Sequence, residues 1–192
     1  MDETDAQLLG QYRDGDVAAL EQLVAKYQRP LFGYIVQITG GRDDPDDVFQ
    51  EVWLRAIRKE GTYRHGNFLG WLIRIAHNMV IDRGRRRKAD WSLNEEDESG
   101  RPLETLIASS ETGPLSRIAD AQVGRRIAEA VATLPVEQRG VFLMRTQMGL
   151  PFKEIARVQR VSINTALARM QYALKKLRTL LKEDYDSVCG PA

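Results

Sequence analysis

The 192-residue sequence has very little cysteine and no long apolar run. A single cysteine, Cys189, excludes an intrachain disulfide framework and a multi-thiolate metal site, and it favours a reducing compartment. No segment approaches the roughly 18 consecutive apolar residues of a membrane-spanning helix. Three of the first five residues are acidic, where a secretory signal would be basic. We therefore expect a cytoplasmic protein without stable membrane insertion.

Strand-like patterns are scarce as well. Apolar residues recur at spacings of three and four, and no useful length of sequence alternates between apolar and polar residues. The chain holds only 7 prolines and 15 glycines, and its apolar fraction of 43% is sufficient to bury cores. The sequence therefore predicts an all-α fold.

The small net charge of +1 conceals four blocks of alternating sign. Residues 1–60 carry −5, residues 61–90 carry +5, residues 91–120 carry −5 and residues 121–192 carry +6. The two basic blocks suggest two places where a polyanion binds, and the acidic blocks would repel it and face a protein instead. Because solvated surfaces often have this pattern, charge supports nucleic-acid binding only weakly.

The first half of the chain reads as four helices. A break at 14–16 separates the first two, and Pro30 would kink or split the second. A third helix begins at 43–47, where a capping residue, a proline and acidic residues occur together. A fourth begins near Asn67 and runs into the basic segment 83–88. These helices predict one small domain at 1–90.

The periodicity disappears between about residue 89 and residue 114. The stretch 94–102 is acidic and rich in loop-forming residues, which indicates an interdomain linker. Helical patterns return near Leu115, and Pro135 begins a further helix. We predict a linker at 91–114, a second domain at 115–185 and a tail at 186–192.

The second domain ends in two short helices joined by a tight turn. The first lies within 149–156 (GLPFKEIA), and the second runs from Ile163 to about Leu181 with Ser162 as its N-cap. The predicted packing face of the second helix consists of Ile163, Met170, Leu174, Leu177 and Leu181. This arrangement is typical of a helix-turn-helix, whose second helix enters the major groove. The alternative is a helical hairpin with a solvated basic face.

Position along this helix-turn-helix predicts how each side chain would meet DNA. Side chains near the start or on the outward side of the second helix would reach base edges: Asn164, Thr165, Ala168 and Gln171. Basic side chains around them would hold phosphates: Arg157, Arg160, Arg169, Lys175, Lys176 and Arg178. Tyr172 is included among the candidate DNA contacts.

Several segments, taken in their order, resemble the extracytoplasmic-function (ECF) subfamily of bacterial RNA polymerase sigma factors, in the sigma-70 family. They are 46–53 (DDVFQEVW), 71–78 (WLIRIAHN), 82–83 with the arginine run that follows, 134–135, and 149–156. The resemblance spans about 8–181. It implies two small helical domains joined by a flexible acidic linker, a stress-responsive role in transcription initiation, and neither a catalytic residue nor a cofactor.

The resemblance implies that the helix at 46–53 docks on the β′ clamp helices of the polymerase, whose core with its β and β′ subunits is the expected partner. The implied contacts are Asp46, Asp47, Phe49, Gln50, Glu51, Trp53 and Arg55. An exposed Phe49 or Trp53 would make an interface anchor. The alternative is that these rings fill the core, and we expect at least one to do so.

The next helix, with the loop before it, would engage the −10 promoter element and capture an unstacked base. A ring stacks on a base and an amide reads its edge. The implied contacts are Tyr63, Arg64, Asn67, Arg74, Asn78, Arg83, Arg85, Arg86 and Arg87. Trp71 is better explained as a core residue, and His65 and His77 have no partners at metal-ligand spacing.

The helix-turn-helix would read the −35 element of the promoter DNA, and an anti-sigma factor is a further expected partner. The linker would thread toward the polymerase channel, either as a nucleic-acid mimic or as a plain tether. Two features depart from the family pattern. Segment 164–167 (NTAL) places Leu167 where relatives often have a basic residue, and the 63–67 loop is one residue shorter than in many of them.

Three other classes of protein compete with this interpretation. An ordinary helix-turn-helix regulator would dimerise on a palindromic site and would leave segment 46–53 without a purpose. A helical adaptor would bind protein through its basic faces and show no DNA sequence preference. An enzyme has the least support, because the sequence offers no phosphate-cradling glycine loop, zinc-type spacing or evident nucleophile–base pair.

Overall fold

The computed structural model describes residues 4–63, 67–91 and 114–182, which form helices in two separate units. The first unit contains α1 (Asp5–Arg13), α2 (Val17–Thr39), α3 (Pro45–Arg58), a 3-10 turn (Glu60–Thr62) and α4 (Phe68–Trp91). The second contains α5 (Pro114–Ala132), α6 (Val136–Thr146), α7 (Phe152–Gln159) and α8 (Ile163–Leu180). The described ranges contain no strand, and the predicted all-α class is confirmed. Residues 92–113, most of the predicted linker, lie outside the described residues, as does the tail.

The N-terminal helices begin at residues whose side chains satisfy free backbone amides. Thr4 and Gln7 form a reciprocal capping box on α1. The predicted break follows it, with Gly15 at φ +101°. Helix α2 continues through Pro30, which therefore does not split it. Tyr34, Ile35 and Ile38 beyond the proline are fully buried, and this packing offsets the lost backbone hydrogen bond.

The predicted starts of α3 and α4 are correct. The Asp44 carboxylate accepts a 2.8 Å hydrogen bond from the backbone N–H of Asp46, and Pro45 occupies the first helical position. Asn67 caps α4, because its Oδ1 accepts from the backbone N–H of Gly70 at 2.9 Å. Apolar residues of α2, α3 and α4 form the core of the first unit: Leu23, Leu31, Ile35, Val48, Val52, Phe68, Leu72, Ile73 and Met79.

The packing face of α8 differs from the predicted one. Ala166, Ala173 and Leu177 are buried, whereas Ile163 and Leu174 are 45% and 46% exposed. The small alanines allow α8 to approach α6 and α7 closely, so the larger side chains next to them remain at the surface. The prediction counted only large apolar residues and therefore placed the buried face too far around the helix.

Candidate polymerase and nucleic-acid interfaces

One side of α3 is open to solvent. Asp46, Asp47 and Gln50 are exposed, and Leu54 lies beside them with 53% of its surface exposed. A large apolar side chain within a polar surround is the usual composition of an interface centre. Leu54 was not predicted as a contact, although its position four residues after Gln50 puts both on one helical face.

The two aromatic residues of α3 have different environments. Trp53 is only 7% exposed, so its ring fills the core. Phe49 is half-buried, and its ring contacts those of Phe32 at 5.8 Å and Trp53 at 6.3 Å between centroids. Of the two predicted anchors, only Phe49 presents part of its ring to solvent.

A chain of ion pairs joins α3 to the basic end of α4. Glu51 accepts hydrogen bonds from both Arg55 and Arg83. Asp43, in the segment before α3, binds Arg87 through both carboxylate oxygens, at 2.6 Å and 3.1 Å. Partial burial acts to raise the pKa of Glu51, but the hydrogen bonds from Arg83 and Arg55 outweigh it and lower that pKa below its ordinary value.

The predicted −10 residues of α4 do not share one face. At 3.6 residues per turn, Arg74, Asn78 and Arg85 lie within about 40° of one another around the helix. Arg83 and Arg87 lie on the far side from Arg74, at about 180° and 140°. Arg74, Arg85 and Arg86 are exposed, and Asn78 is half-buried. Neighbouring arginines of a helix point in different directions, so closeness in sequence does not place them on one surface.

An aromatic cluster lies beside the start of α4. Tyr63 meets Phe68 edge-on at 5.1 Å and Trp71 at 5.6 Å between centroids, and Phe68 contacts Trp71 at 5.4 Å. Phe68 is buried, whereas Tyr63 and Trp71 are half-buried, so Trp71 is not wholly a core residue. The side-chain oxygen of Asn67 accepts the capping hydrogen bond from the Gly70 backbone N–H. Arg64 and His65, named in the sequence analysis, fall outside the described residues.

The predicted helix-turn-helix consists of α7, a turn at 160–162, and α8. Arg160 ends α7 in the left-handed region at φ 55° and ψ 45°. Ser162 caps α8, since its Oγ accepts from the backbone N–H of Thr165 at 3.0 Å. The Ser162 and Thr165 hydroxyls lie 2.8 Å apart, so the Thr165 side chain is held at the start of α8.

The predicted base-reading residues of α8 do share a face. Asn164, Ala168, Gln171 and Lys175 follow spacings of four, three and four, which places them in one row along the helix. All are exposed except Ala168, which is half-buried. Around this row lie the other predicted contacts: Thr165, Tyr172, Arg157, Arg160 and Arg169. Tyr172 is 63% exposed and lies one helical step from Gln171.

A groove of about 660 Å³ lies between α5, α6 and α8 of the second unit. Its lining is largely apolar with a basic rim: Ile127, Phe142, Leu174, Leu177, Arg178, Leu181 and Lys182. This groove was not predicted, because the apolar pattern of α8 placed Leu174 in the core. An apolar groove with basic edges is suited to an amphipathic segment that carries acidic residues.

The described residues contain no group of three His, Cys, Asp or Glu side chains arranged to hold a metal ion. His77 is buried in the first unit, with its Nδ1 3.1 Å from the Tyr34 hydroxyl. Within the same described ranges, no helix has the length and apolar character needed to cross a membrane.

Comparison with known proteins agrees with both units. Residues 23–90 match the sigma-70 region 2 family, and residues 124–177 match sigma-70 region 4. The chain is 30% identical to RNA polymerase sigma-H factor of Pseudomonas aeruginosa, over 94% of this chain and 97% of that one. It is also 30% identical to ECF sigma factor SigM of Mycobacterium tuberculosis, over 93% and 85% of the two chains.

A solved structure has the same fold at lower sequence identity. The sigma factor RpoE of Bartonella quintana, in complex with the anti-sigma factor NepR, aligns with a TM-score of 0.69 at 20% identity. The alignment covers 86% of this chain and 98% of that one.

Two small helical units, the second carrying a helix-turn-helix, define a transcription factor of the sigma class. The chain belongs to the ECF subfamily of the sigma-70 family, as its sequence resemblance implied. It is a promoter-recognising sigma factor, which binds RNA polymerase and promoter DNA and initiates transcription.

Proposed function

We propose that this sigma factor uses three separate surfaces to bind the polymerase and the two promoter elements. The exposed side of α3 binds the polymerase, α4 engages the −10 element, and α8 reads the −35 element. The domains that carry them extend over 1–90 and 115–185, with 91–114 as a linker. The chain itself catalyses no reaction, because the chemistry of RNA synthesis belongs to the polymerase, and it acts in the cytoplasm, where promoter DNA is.

The polymerase surface is centred on Leu54, with the half-buried Phe49 at its edge, about 140° around α3. Asp47, Gln50 and Glu51 surround them with carboxylate and amide groups. An apolar centre that loses contact with water supplies most of the affinity, and the polar rim supplies orientation. We assign this surface to the β′ clamp helices, and we place Trp53 behind it as support.

The −10 surface combines a partly exposed aromatic cluster with the polar row of α4. The Tyr63 and Trp71 rings offer a platform on which an unstacked base rests. Asn78 reads a base edge, Arg74 and Arg85 hold phosphates at the two ends of about 16 Å of helix, and Arg86 holds a phosphate beside that row. This row is the observation that carries the proposal, because it follows the aromatic cluster along a single face of α4.

The −35 surface uses the exposed row of α8. Asn164 and Gln171 read base edges in the major groove. Arg157 and Arg160 hold phosphates beside that row, and Lys175 holds one at its C-terminal end. Arg169 has a different task, because it is tied to Gln159 within the domain.

We also propose regulation by an anti-sigma factor. The related sigma factor RpoE was solved with such a partner, NepR. The groove between α5, α6 and α8 is our candidate docking site for one segment of that partner. Its apolar floor and the basic residues Arg178 and Lys182 call for an amphipathic segment with acidic flanks.

The test is run-off transcription with bacterial core polymerase on a genomic promoter library. We expect discrete transcripts that share an upstream pair of elements. Asn78→Ala lowers the use of promoters with a weak −10 element, and Asn164→Ala lowers the use of promoters with a weak −35 element. Glu21→Gln, an exposed change on α2, serves as the control and leaves both unchanged. Failure to bind core polymerase, with retained binding to a palindromic duplex, would replace the proposal by a conventional regulator.

A further inference from the structure

Asp43 is an acidic residue for which the functions above give no role. It lies between α2 and α3, and its side chain is only 8% exposed. Its two oxygens bind Arg87, and one of them lies 3.6 Å from Arg83 Nη1. A nearly buried carboxylate that meets two guanidinium groups is uncommon in a segment between helices at the protein surface, and removing one partner of such a buried pair is destabilising.

The two arginines occupy one side of α4 because they are four residues apart. Glu51 of α3 receives Arg83 on the same side. Asp43 and Glu51 therefore hold the last turns of α4 against the rest of the first unit. Among the side chains described up to Arg87, the last buried apolar ones of α4 are Met79 and Val80. The ion pairs of Asp43 and Glu51 therefore contribute to the direction of the turns that follow.

The opposite side of the same turns carries the residues assigned to DNA. Arg85 continues the row of Arg74 and Asn78, and Arg86 lies between the two sides. Arg85 and Arg86 are exposed and form no ion pair with a described residue. The direction in which they point is thus set by the pairs on the other side of the helix.

We propose that Asp43 is a positioning residue for −10 recognition, an inference that rests on the proposed role of α4. It fixes Arg83 and Arg87 against α3, and through them it aligns Arg85 and Arg86 with Asn78. Arg83 and Arg87 then brace the helix and do not hold phosphates. The arginine run divides into an inward pair that orients and an outward pair that binds.

A masking role, in which Asp43 withholds the arginines from DNA, fits the geometry less well. Arg83 and Arg87 lie across the helix from Asn78, so their release would not bring them into the row without rotating α4 by about half a turn. That rotation would remove Arg85 from the row. The two roles predict opposite effects of neutralising Asp43.

The experiment compares Asp43→Asn, Arg87→Lys, the double variant Arg85→Ala/Arg86→Ala and the triple variant that adds Asp43→Asn to it, with Glu21→Gln as the single-charge control. Each full-length chain is assembled with core polymerase and titrated with a fluorescein-labelled fork-junction fragment carrying the −10 sequence from the transcription experiment. Affinity is measured between 50 and 200 mM salt. Hydrogen–deuterium exchange of the amides in 83–91 is measured on each chain alone.

Positioning predicts a specific pattern. Asp43→Asn speeds exchange in 83–91 by at least about tenfold, because the guanidinium groups lose their buried partner. It also lowers the salt slope of binding by about 1, and Arg85→Ala/Arg86→Ala lowers it by about 1.8. The triple variant lowers the salt slope by less than the sum of the effects of Asp43→Asn and Arg85→Ala/Arg86→Ala, since Asp43 acts through those arginines. Arg87→Lys behaves like Asp43→Asn, because lysine cannot form the two-point contact.

Other outcomes overturn the inference at distinct steps. Unchanged exchange in 83–91 rejects the brace without reference to DNA. Faster exchange with tighter DNA binding identifies masking instead. If the changes in salt slope caused by Asp43→Asn and by Arg85→Ala/Arg86→Ala simply add in the triple variant, Asp43 acts elsewhere. If Arg85→Ala/Arg86→Ala leaves the slope unchanged while exchange responds, the brace stands but the proposed −10 face of α4 is wrong.

Discussion

Gln159 holds Arg169 in place: Arg169 Nη1 donates a 2.6 Å hydrogen bond to the Gln159 side-chain oxygen. The Gln159 amide nitrogen in turn donates to the carbonyl of Glu137 at 2.8 Å. This relay joins α8, α7 and α6 through one side chain. It fixes the angle between the two helices of the helix-turn-helix, on which simultaneous base and phosphate contacts depend.

Gln159→Ala should therefore weaken −35 binding although Gln159 touches no base. The change removes two hydrogen bonds of about 1 kcal/mol each, and it leaves Arg169 without a fixed direction. We expect Gln159→Glu to recover part of the affinity, because a carboxylate accepts from Arg169 more strongly. Fluorescence anisotropy on a −35 duplex measures both. Equal losses of DNA affinity in the two variants would show that the hydrogen bond to the Glu137 carbonyl, and not the one from Arg169, supports −35 binding.

Arg160 allows side-chain and backbone effects to be separated. Its φ of 55° is unfavourable for any residue with a Cβ, at a cost of roughly 1–2 kcal/mol. Arg160→Ala keeps this strain and loses the guanidinium, whereas Arg160→Gly loses both. We expect both to lower the salt slope of −35 binding by about 0.9. Chemical unfolding should show the glycine variant to be the more stable by about 1 kcal/mol, because glycine relieves the strain. A more stable alanine variant would contradict this reason.

The neighbours Trp53 and Leu54 should give opposite results. Trp53→Ala empties a core position and should cost about 3–5 kcal/mol of stability. Leu54→Ala, at an exposed position, should change stability by less than about 0.5 kcal/mol. Its effect should fall on core polymerase binding, with a loss of more than about 1 kcal/mol. Unfolding curves measure the stability of both variants, and a titration with core polymerase measures their binding. Unaltered polymerase binding by Leu54→Ala would move the interface away from this face of α3.

The structure shows which features the sequence could predict. Ser162 and Asp44 begin their helices as expected, because capping depends on residues within one turn. The predicted packing face of α8 was wrong, because Ala166 and Ala173 are buried there whereas the larger residues that dominate a hydrophobicity pattern, Ile163 and Leu174, are exposed. Leu54 and Asp43 were missed for a related reason: their exposure and pairing depend on which helix packs beside them, and local spacing does not contain that information.

Glu51 makes the first unit sensitive to acid. Its folded-state pKa lies below the ordinary 4.5, so its contribution to stability is present above that pH and is lost as pH falls through the lowered pKa. Glu51→Gln should thus be less stable than the natural chain at pH 7, and the difference should shrink as the pH falls through the lowered pKa of Glu51 and disappear below it. All three tryptophans lie within residues 1–91, so tryptophan fluorescence during urea unfolding follows this unit. A difference that persists at low pH would mean that Glu51 contributes through packing.

Leu167 offers a test of how this chain departs from relatives with a basic residue there. Its side chain is partly exposed and lies about 60° around α8 from Asn164, at the edge of the base-reading row. An apolar side chain in the major groove recognises the thymine methyl group. Leu167→Ala should therefore lower the discrimination between thymine and other bases at one −35 position by about 1 kcal/mol and leave the salt slope unchanged. Leu167→Arg should instead raise that slope by about 0.9 and relax the preference, since a phosphate contact adds affinity for every sequence. Binding of both variants to a set of singly substituted −35 duplexes at two salt concentrations separates these effects. If neither variant changes affinity or slope, Leu167 faces away from DNA and belongs with Leu174 on the docking side of α8.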